Sequence, residues 1–385
     1  MLASLWNGAQ LLFRPYPYFR DARTTWRAPL PGLGSVLVSA DAALVAEAAR
    51  HPGLVGGRAH RAMRATLGDN HLIVMSGPQH RLRSRQVRRA LQAFSSDAEM
   101  AAVTRKEFAR TPLGRPFSLQ QVAHRASLRI ILRGLVGQDD AELVGLCQDF
   151  QASFSSPLVL FVEGLRRDWG PWSPWGRLLR RRSRLNEALI QAAGRAPADT
   201  IAARLPPETW AQELLPQLMF GHETTAATFA WCFALLYEEA RRRIRQGDDG
   251  FTLAYVQECM RLCPPVAQLT RVATQEVRLG SHSLKAGEVV MPAIPGLHHH
   301  GWSQSERLRP ERFLEGTPDP HRYCPFGVGE RICPGKPMAL RQLVMMLQSV
   351  LQNFDLRLLE GYRPCPVRQL FLVAPARGTP VVRHA

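Results

Sequence analysis

The chain has 385 residues, of which 45% are hydrophobic and 21% are charged. This composition is typical of a globular protein with a substantial core and excludes a disordered or low-complexity chain. The formal net charge is +17, and the basic residues are almost all arginine. Such a charge could serve nucleic acid, an anionic membrane surface or an acidic protein. No nucleic-acid-binding motif accompanies it, so we do not expect nucleic acid as a partner.

The cysteines and the first residues bear on where the protein works. Seven cysteines stand at irregular spacing, and no secretory signal precedes them, which favours reduced thiols and a cytoplasmic location. The apolar stretch in residues 1–19 is short and broken by polar residues and prolines, so we expect no membrane span. We see no domain boundary and expect residues 1–385 to form a single domain, monomeric in solution.

The first half of the chain mixes strands and helices. "GSVLVS" (residues 34–39) reads as a strand, and a helix follows with Asp41 at its cap. Residues 80–110 predict a very basic helical region. The tryptophan- and arginine-rich segment 163–184 is open to two interpretations, a mobile lid or a solvated connector.

The second half is dominated by helices. Residues 208–243 predict one long helix, apolar nearly all round, with a bend at Pro216. Two strands, "EVRLG" and "EVVMPAI", follow with a turn at Gly280–Ser281, and residues 338–354 predict another apolar helix. The predicted fold is therefore mainly α with small β-sheets (α+β).

The stretch "CPFGVGERICPGKPMAL", residues 324–340, surrounds Cys333 with glycines and an arginine. Pro334 predicts that Cys333 lies at the cap of a helix, where the helix dipole favours a thiolate. A thiolate binds soft metals, but zinc and iron–sulfur sites need three or four such ligands and only one is evident. One thiolate suffices when a macrocycle supplies the in-plane ligands, which indicates haem.

The neighbours of Cys333 suit the same cofactor. Gly327, Gly329 and Gly335 would let the backbone turn tightly and lie against a flat ring. Arg331 could pair with a haem propionate, and Phe326 could pack near the cysteine and restrict water.

"FGVGERICPG" (residues 326–335) resembles the haem-binding signature of the cytochrome P-450 family, F-G-x-G-x-R-x-C-x-G, at every fixed position. The resemblance implies the cytochrome P-450 fold, with haem b (heme b, iron protoporphyrin IX) between a central distal helix and the helix after the cysteine loop. Cys333 would be the ligand to the iron.

Two more motifs resemble the family's in the same order. "ECMR" and "PERF" would bring Glu258, Arg261 and Arg312 into a buried network that holds the proximal side of the haem. "FGHETT" (residues 220–225) resembles the oxygen-activating motif, in which Thr224 would hydrogen-bond the bound oxygen and Glu223 would relay protons from solvent.

Lesser matches extend the resemblance from about residue 77 to the C-terminus. His80, in "GPQH", and Arg271, in "PPVAQLTR", resemble the family's propionate-binding residues. Ser84 stands where the family usually has arginine, and we expect Arg83 or Arg85 to substitute.

Other departures concern the pocket and two clusters. Phe220 occupies the place of a small residue, so we expect a constricted pocket or a locally shifted helix, and hence a small, flat or end-on substrate. Residues 298–300 are three histidines, which we do not expect to hold a metal because adjacent residues seldom converge on one ion. Cys259 and Cys263 read as packing residues.

The resulting prediction is a haem-thiolate monooxygenase that inserts one atom of O2 into a small organic substrate. Electrons would come from a ferredoxin or flavodoxin with its reductase, docked on a basic face. The residues proposed for that face are Arg81, Arg85, Arg88, Arg89, Lys336 and Arg341. A peroxide-dependent or rearranging enzyme is the first alternative, although such members tend to lose the acid–threonine pair. A non-catalytic haem-binding protein is the second, supported only by crowding at Phe220.

Overall fold

Helices account for most of the described chain, and small sheets lie beside them. The structure is a computed structural model that describes residues 2–21, 24–30, 33–56, 61–68, 70–92, 96–154, 167–369 and 372–385. The helices are α1 (Leu2–Phe13), α2 (Pro15–Arg20), α3 (Ala42–Arg50), α4 (Arg61–Leu67), α5 (Gly77–Leu91), α6 (Asp97–Ala109), α7 (Leu119–Val136), α8 (Ala141–Phe154), α9 (Pro174–Ala193), α10 (Ile201–Arg204), α11 (Trp210–Ala234), α12 (Glu238–Arg245), α13 (Asp249–Leu262), α14 (Ile294–His299), α15 (Arg312–Glu315) and α16 (Lys336–Asn353).

Twelve strands are formed by the described residues. They are β1 (Thr25–Leu30), β2 (Gly34–Ser39), β3 (Leu54–Val55), β4 (Pro116–Ser118), β5 (Arg271–Ala273), β6 (Val277–Leu279), β7 (His282–Leu284), β8 (Val289–Pro292), β9 (Asp355–Leu358), β10 (Pro366–Gln369), β11 (Leu372–Pro375) and β12 (Pro380–His384). The largest sheet has the order β1-β2-β8-β5-β3, and the other strands form sheets of two or three. The predicted mainly α fold with small sheets is confirmed.

The predicted strand and helix of residues 34–50 are confirmed. The Asp41 carboxylate accepts hydrogen bonds from the backbone N–H groups of Ala43 at 2.7 Å and Leu44 at 3.0 Å. These bonds satisfy N–H groups that have no partner within the helix, which fixes the start of α3.

The long helix predicted over residues 208–243 is divided in the structure. The central helix, α11, ends at Ala234, and α12 begins at Glu238. The first half of α11 packs into one apolar cluster, and its second half contributes buried residues to three others. The charged sequence after Ala234 cannot continue through such a core, because desolvating several charges is costly, and it forms a separate surface helix.

The strand prediction near residue 280 needs a correction. The Gly280–Ser281 turn joins β6 to β7, a short strand that the sequence analysis missed. The predicted second strand, β8, pairs instead with β2 in parallel and with β5 in antiparallel register. All four residues of β8 are buried, which suits an inner strand of the largest sheet.

Segment 163–184 was open to two interpretations. Its first four residues lie outside the described residues. The rest forms a short 3₁₀ turn, Gly170–Trp172, and the start of α9. Trp175 and Leu178 are buried in the core, so this part of α9 is packed structure.

Candidate functional site

A cavity of about 390 Å³ lies between the central helix α11 and the loop that precedes α16. Phe220, Gly221 and Thr224 of α11 form part of one wall. The cysteine loop forms part of the opposite wall, with Phe326, Gly327, Arg331, Cys333 and Gly335. Apolar side chains line much of the remaining cavity wall, among them Ile131, Leu135, Val266, Leu269, Met338 and Leu343. The two regions singled out in the sequence thus face each other across one apolar space.

Cys333 lines this cavity, and its backbone is fixed by a hydrogen bond. Its backbone N–H donates to the carbonyl of Phe326 at 2.8 Å, which closes the loop. The residue has exposed surface, but that surface lies on the cavity wall. Burial raises the pKa of the Cys333 thiol, while hydrogen bonds from the backbone of Gly335 and Lys336 and the charge of Arg88 act in the opposite direction. A cation bound in the cavity would lower the pKa of the Cys333 thiol and favour the thiolate.

The predicted position of Cys333 at a helix cap is wrong by two residues. The helix starts at Lys336, with Gly335 as its N-cap. The proline of the first helical turn is Pro337 and not Pro334, which the sequence analysis took for it.

The three glycines of the cysteine loop differ in backbone conformation. Gly327 has φ +79° and Gly329 has φ +66°, a left-handed conformation that glycine adopts without strain. A Cβ added to Gly329 would also lie 3.0 Å from the carbonyl oxygen of Ala49. Gly335 has an ordinary φ of −85°, so its backbone conformation alone does not require glycine.

Two arginines border the cavity, and no carboxylate among the described residues pairs with either. Arg331 donates to the carbonyls of Leu72 at 3.3 Å and Ile73 at 3.2 Å, and it also bonds Met75 and Ser76. Burial and the charge of Arg271 lower the pKa of Arg331 to about 10.

The buried Arg271 donates to the carbonyl of Thr270 at 3.0 Å. Among the described residues, no carboxylate lies within 4 Å of either guanidinium. Two such cations sharing one cavity are costly unless a dianion joins them, and the two propionates of haem have that charge.

His80 also lines the cavity, but it already has a protein partner. Its Nδ1 lies 3.1 Å from Oε1 of Glu330. Burial and the charge of Arg331 lower the pKa of His80, and the Glu330 carboxylate opposes them. The sequence analysis missed Glu330, which stands at an unassigned position inside the haem signature.

The expected substitute for the missing arginine at position 84 is wrong for both candidates. Ser84 is buried and lines the cavity, whereas Arg85 is exposed. Arg83 instead pairs with the buried Glu213 at 3.0 Å. Successive residues of a helix are rotated by about 100° around its axis, so the side chains at 83 and 85 point away from the cavity that Ser84 faces. Burial raises the pKa of Glu213 to about 7, although Arg83 and neighbouring hydrogen bonds oppose this.

The threonines of the central helix bond back to their own helix. The Thr224 hydroxyl donates to the carbonyl of Phe220 at 3.0 Å, and Thr225 and Thr228 make the same type of bond. The helix is unbroken from Trp210 to Ala234. Phe220 lies on this unbroken helix and lines the cavity, as both expectations for it require.

Glu223 lies outside the cavity wall. Its carboxylate accepts a hydrogen bond from Gln151 of α8, and its Oε1 is 3.8 Å from Nε2 of His124 in α7. Burial alone would raise the pKa of Glu223, but its polar neighbours His124, His222 and Gln151 lower it. His124 and Gln151 come from distant parts of the chain, and the sequence analysis missed both.

The structure brings Glu258, Arg261 and Arg312 together. Both carboxylate oxygens of Glu258 accept from Arg261, at 2.8 and 2.9 Å, and Arg312 Nε lies 3.3 Å away. Glu258 and Arg261 are completely buried. Because each charge has a partner, the network avoids the penalty of an isolated buried ion.

The three adjacent histidines do not converge. His298 bonds the carbonyl of Arg261 at 3.1 Å and accepts from the backbone of Cys324 at 3.0 Å, which joins the buried network to the cysteine loop. His299 lies against Tyr16 and Glu306. Cys259 and Cys263 pack in apolar clusters, as predicted.

A single sulfur cannot hold a metal ion alone, and Cys333 is the only cysteine on the described wall of the cavity. Haem supplies four in-plane nitrogens for the metal and two carboxylates for Arg271 and Arg331, so these residues fit it. Fold and site together define a haem-thiolate protein.

Comparison with known proteins finds likenesses to one family. The sequence model of the family Cytochrome P450 matches residues 250–380. A Mycobacterium tuberculosis protein named cytochrome P450 137 is 27% identical over 387 residues, covering 92% of this chain and 81% of that protein. The 11-oxo-beta-amyrin 30-oxidase of Glycyrrhiza uralensis is 34% identical over 189 residues, which cover 43% of this chain and 36% of that protein.

Solved structures agree on the fold. A 6-coordinated cytochrome P450 from Thermus thermophilus superimposes with a TM-score of 0.78 at 23% identity, covering 96% of this chain and 97% of its own. The retinoic acid-bound cyanobacterial CYP120A1 gives 0.79 at 20% identity, with 94% and 91% covered.

The chain is supported as a cytochrome P450 by the family-model match over residues 250–380, by the relatives and by the solved structures. It is accordingly an oxidoreductase, a cytochrome P450 monooxygenase with haem b as cofactor, which uses O2, a substrate and a redox partner. In the part of the chain that the structure describes, no helix combines the length and apolarity needed to cross a bilayer.

Proposed function

We propose that this enzyme inserts one oxygen atom from O2 into a small organic substrate, using electrons from a separate ferredoxin or flavodoxin. The observation that carries the proposal is the apolar cavity with Cys333 on one wall and Phe220 and Thr224 on the other. Apolar walls with few polar groups favour an organic substrate. The Phe220 ring on the wall favours a small, flat or end-on one.

The proposed haem contacts follow from the cavity wall. Cys333 binds the iron, while Phe326, Gly327 and Gly335 line the space beside the sulfur. Arg271, Arg331 and His80 bind the propionates. When bound, haem b supplies the activation of O2, and its thiolate ligand donates electron density that favours O–O cleavage.

Thr224 and Glu223 have separate tasks in proton delivery. The Thr224 hydroxyl donates to the carbonyl of Phe220, so its oxygen remains able to accept a hydrogen bond inside the cavity. The Glu223 and His124 side chains are each 21% exposed, which opens their cluster to solvent protons. To pass a proton inward, the Glu223 side chain has to leave Gln151 and turn towards Thr224.

Glu258, Arg261 and Arg312 act as structural residues. Arg261 donates to the carbonyl of His298 at 2.9 Å, and His298 in turn holds the backbone of Cys324. The network therefore positions the cysteine loop without touching the substrate.

The redox partner docks on the basic side of the cysteine loop. Of the six basic residues predicted there, Arg81 pairs with Glu330 at 3.5 Å, and Arg341 pairs with Asp97. Lys336 lies 5.9 Å from the Phe326 ring centroid. Arg85, Arg88 and Arg89 are exposed, and no carboxylate of the described chain lies within 4 Å of them. An acidic partner is attracted most strongly to these three.

The remaining elements of the proposal concern the chain as a whole. All seven cysteines are free thiols, which supports a reducing cytoplasmic location. We further propose that residues 1–385 work as one domain and as a monomer.

Substrate oxidation driven by O2, a reductant and a ferredoxin system should exceed oxidation driven by peroxide alone. Arg88→Glu should slow reduction by ferredoxin at low salt, and Arg242→Glu, on the exposed helix α12, serves as the control. Turnover with peroxide alone at an equal or higher rate would instead favour the peroxide-dependent alternative. Reduction that keeps its rate and salt dependence in Arg88→Glu would refute the docking site.

A further inference from the structure

A second cluster of potential metal ligands lies outside the cavity wall. His124 of α7 and His222 and Glu223 of α11 bring their ligand atoms within 4.8 Å of one another. The two histidine rings meet edge to face, with centroids 4.5 Å apart. Gln151 of α8 bonds the same three side chains.

The polar groups of this cluster cannot all be hydrogen-bonded at once, because two acceptors face each other. Nδ1 of His222 lies 2.6 Å from the carbonyl oxygen of Leu218, which can only accept, so Nδ1 carries the hydrogen. In the neutral ring, Nε2 then has only a lone pair. The atom facing it at 3.4 Å is the Gln151 carbonyl oxygen, also an acceptor. His222 is only 1% exposed, so bulk water does not relieve the conflict.

Rotating the Gln151 amide does not remove the conflict. In the present orientation its NH₂ group donates to the Glu223 carboxylate and to Nε2 of His124, at 2.7 Å for the latter. The reverse orientation would turn the carbonyl oxygen towards the Glu223 carboxylate. Gln151 thus satisfies the lone pairs of Glu223 and His124 but not that of His222, and all four side chains meet in one small space.

We propose that His124, His222 and Glu223 bind a divalent transition-metal ion, with zinc as the best fit. Two imidazole nitrogens and one carboxylate are a common zinc ligand set, and a water molecule or the Gln151 oxygen can take the fourth position. Zinc ligands at about 2.0–2.2 Å from the ion lie about 3.4 Å apart, so the side chains close by about 1 Å. The partial exposure of His124 and Glu223 provides the entry path.

Zinc at this site would regulate the enzyme. It would hold the Glu223 carboxylate and so stop its movement towards Thr224. This consequence rests on the proton-delivery role in the proposed function, whereas the binding site itself does not.

Binding is measured by titrating the haem-loaded protein, without a histidine tag, with zinc alone in a calorimeter. We expect one ion per chain, bound at least about tenfold more weakly in both His124→Ala and Glu223→Gln. His321→Ala is the matched control, because His321 is an exposed histidine with a carboxylate, Asp319, at 3.2 Å. This control should bind zinc like the wild type. The haem absorption spectrum of each variant verifies its fold.

The site would be overturned if the wild type bound no zinc, which would indicate that a proton satisfies His222 instead. It would also be overturned if either His124→Ala or Glu223→Gln bound zinc as tightly as the wild type. The regulatory consequence is read separately, from the rate of substrate oxidation with and without zinc. Zinc that binds but leaves this rate unchanged would contradict the role of Glu223 in proton delivery while the site remains.

Discussion

Glu223 and Thr224 are adjacent in the central helix but face different surroundings. The Thr224 hydroxyl lines the cavity and donates to the carbonyl of Phe220 at 3.0 Å. The Glu223 carboxylate lies outside the cavity wall, bonded to Gln151 and 3.8 Å from His124. Although both belong to one sequence motif, Thr224 faces the cavity and Glu223 faces the side that is open to solvent.

Glu223→Gln should therefore impair proton delivery and leave the cavity unchanged. We expect oxidation driven by O2 and reductant to fall by about a hundredfold, a typical loss when a general acid is removed. Oxidation supported by peroxide should keep most of its rate, because peroxide arrives with its own protons. Glu238→Gln, at an exposed carboxylate of α12, is the control. Equal loss in both assays would contradict a specific proton role.

Phe220→Ala should widen the range of substrates. Removing the ring enlarges the cavity next to the wall formed by Thr224. The measurement is the set of organic ligands that shift the ferric haem spectrum, and we expect bulkier ligands to bind only in the variant. Phe117→Ala, at a partly buried phenylalanine outside the cavity wall, controls for a general loss of packing. An unchanged ligand range in Phe220→Ala would refute the constriction.

Arg261→Leu should destabilise the protein strongly. It leaves the Glu258 carboxylate buried without its main partner, which typically costs about 3–5 kcal/mol of unfolding free energy. The control is Arg242→Leu, which breaks an exposed pair with Glu239 at 2.6 Å and should change stability little. Urea unfolding followed by haem absorption compares the two. Similar small losses in both variants would mean that the buried network contributes little.

Glu213 should make stability depend on pH. Its pKa is raised to about 7 in the folded protein, above the ordinary value of a glutamate. The folded state therefore binds more protons than the unfolded state between about pH 4.5 and 7, and the contribution of Glu213 to stability decreases as pH rises through that range.

Glu213→Gln should flatten this part of the pH profile, measured as the urea midpoint at several pH values. Glu208→Gln, at an exposed carboxylate one turn earlier, should keep the wild-type profile. A profile that is the same in wild type and Glu213→Gln would show that the Arg83 pair, and not burial, determines the pKa.

The cysteine loop was predictable because its residues are neighbours in the chain. The left-handed glycines 327 and 329 follow from the local sequence, and so does the pairing of Glu258 with Arg261 three residues later. The cap was misplaced because two prolines, Pro334 and Pro337, compete for the first helical turn. Local pattern alone does not choose between them.

The partners that the sequence analysis missed are distant in the chain. Glu223 meets His124 because α7 packs along α11, and it meets Gln151 through a side chain that extends from α8. No local pattern marks either residue. Arg83 was placed near the cavity because it is next to Ser84. Its true partner, Glu213, is 130 residues away and meets it only in the folded chain.

The central claim is that Cys333 supplies the thiolate ligand of the haem iron. The most direct test is the absorption spectrum of the reduced, carbon-monoxide-bound protein, recorded for the wild type, Cys333→Ser and Cys365→Ser. Cys365 is an exposed cysteine outside the cavity wall. We predict a strongly red-shifted carbonyl band in the wild type and in Cys365→Ser, and its loss in Cys333→Ser. A red-shifted band that persists in Cys333→Ser, or a wild-type protein that stays colourless after haem is added, would contradict the claim.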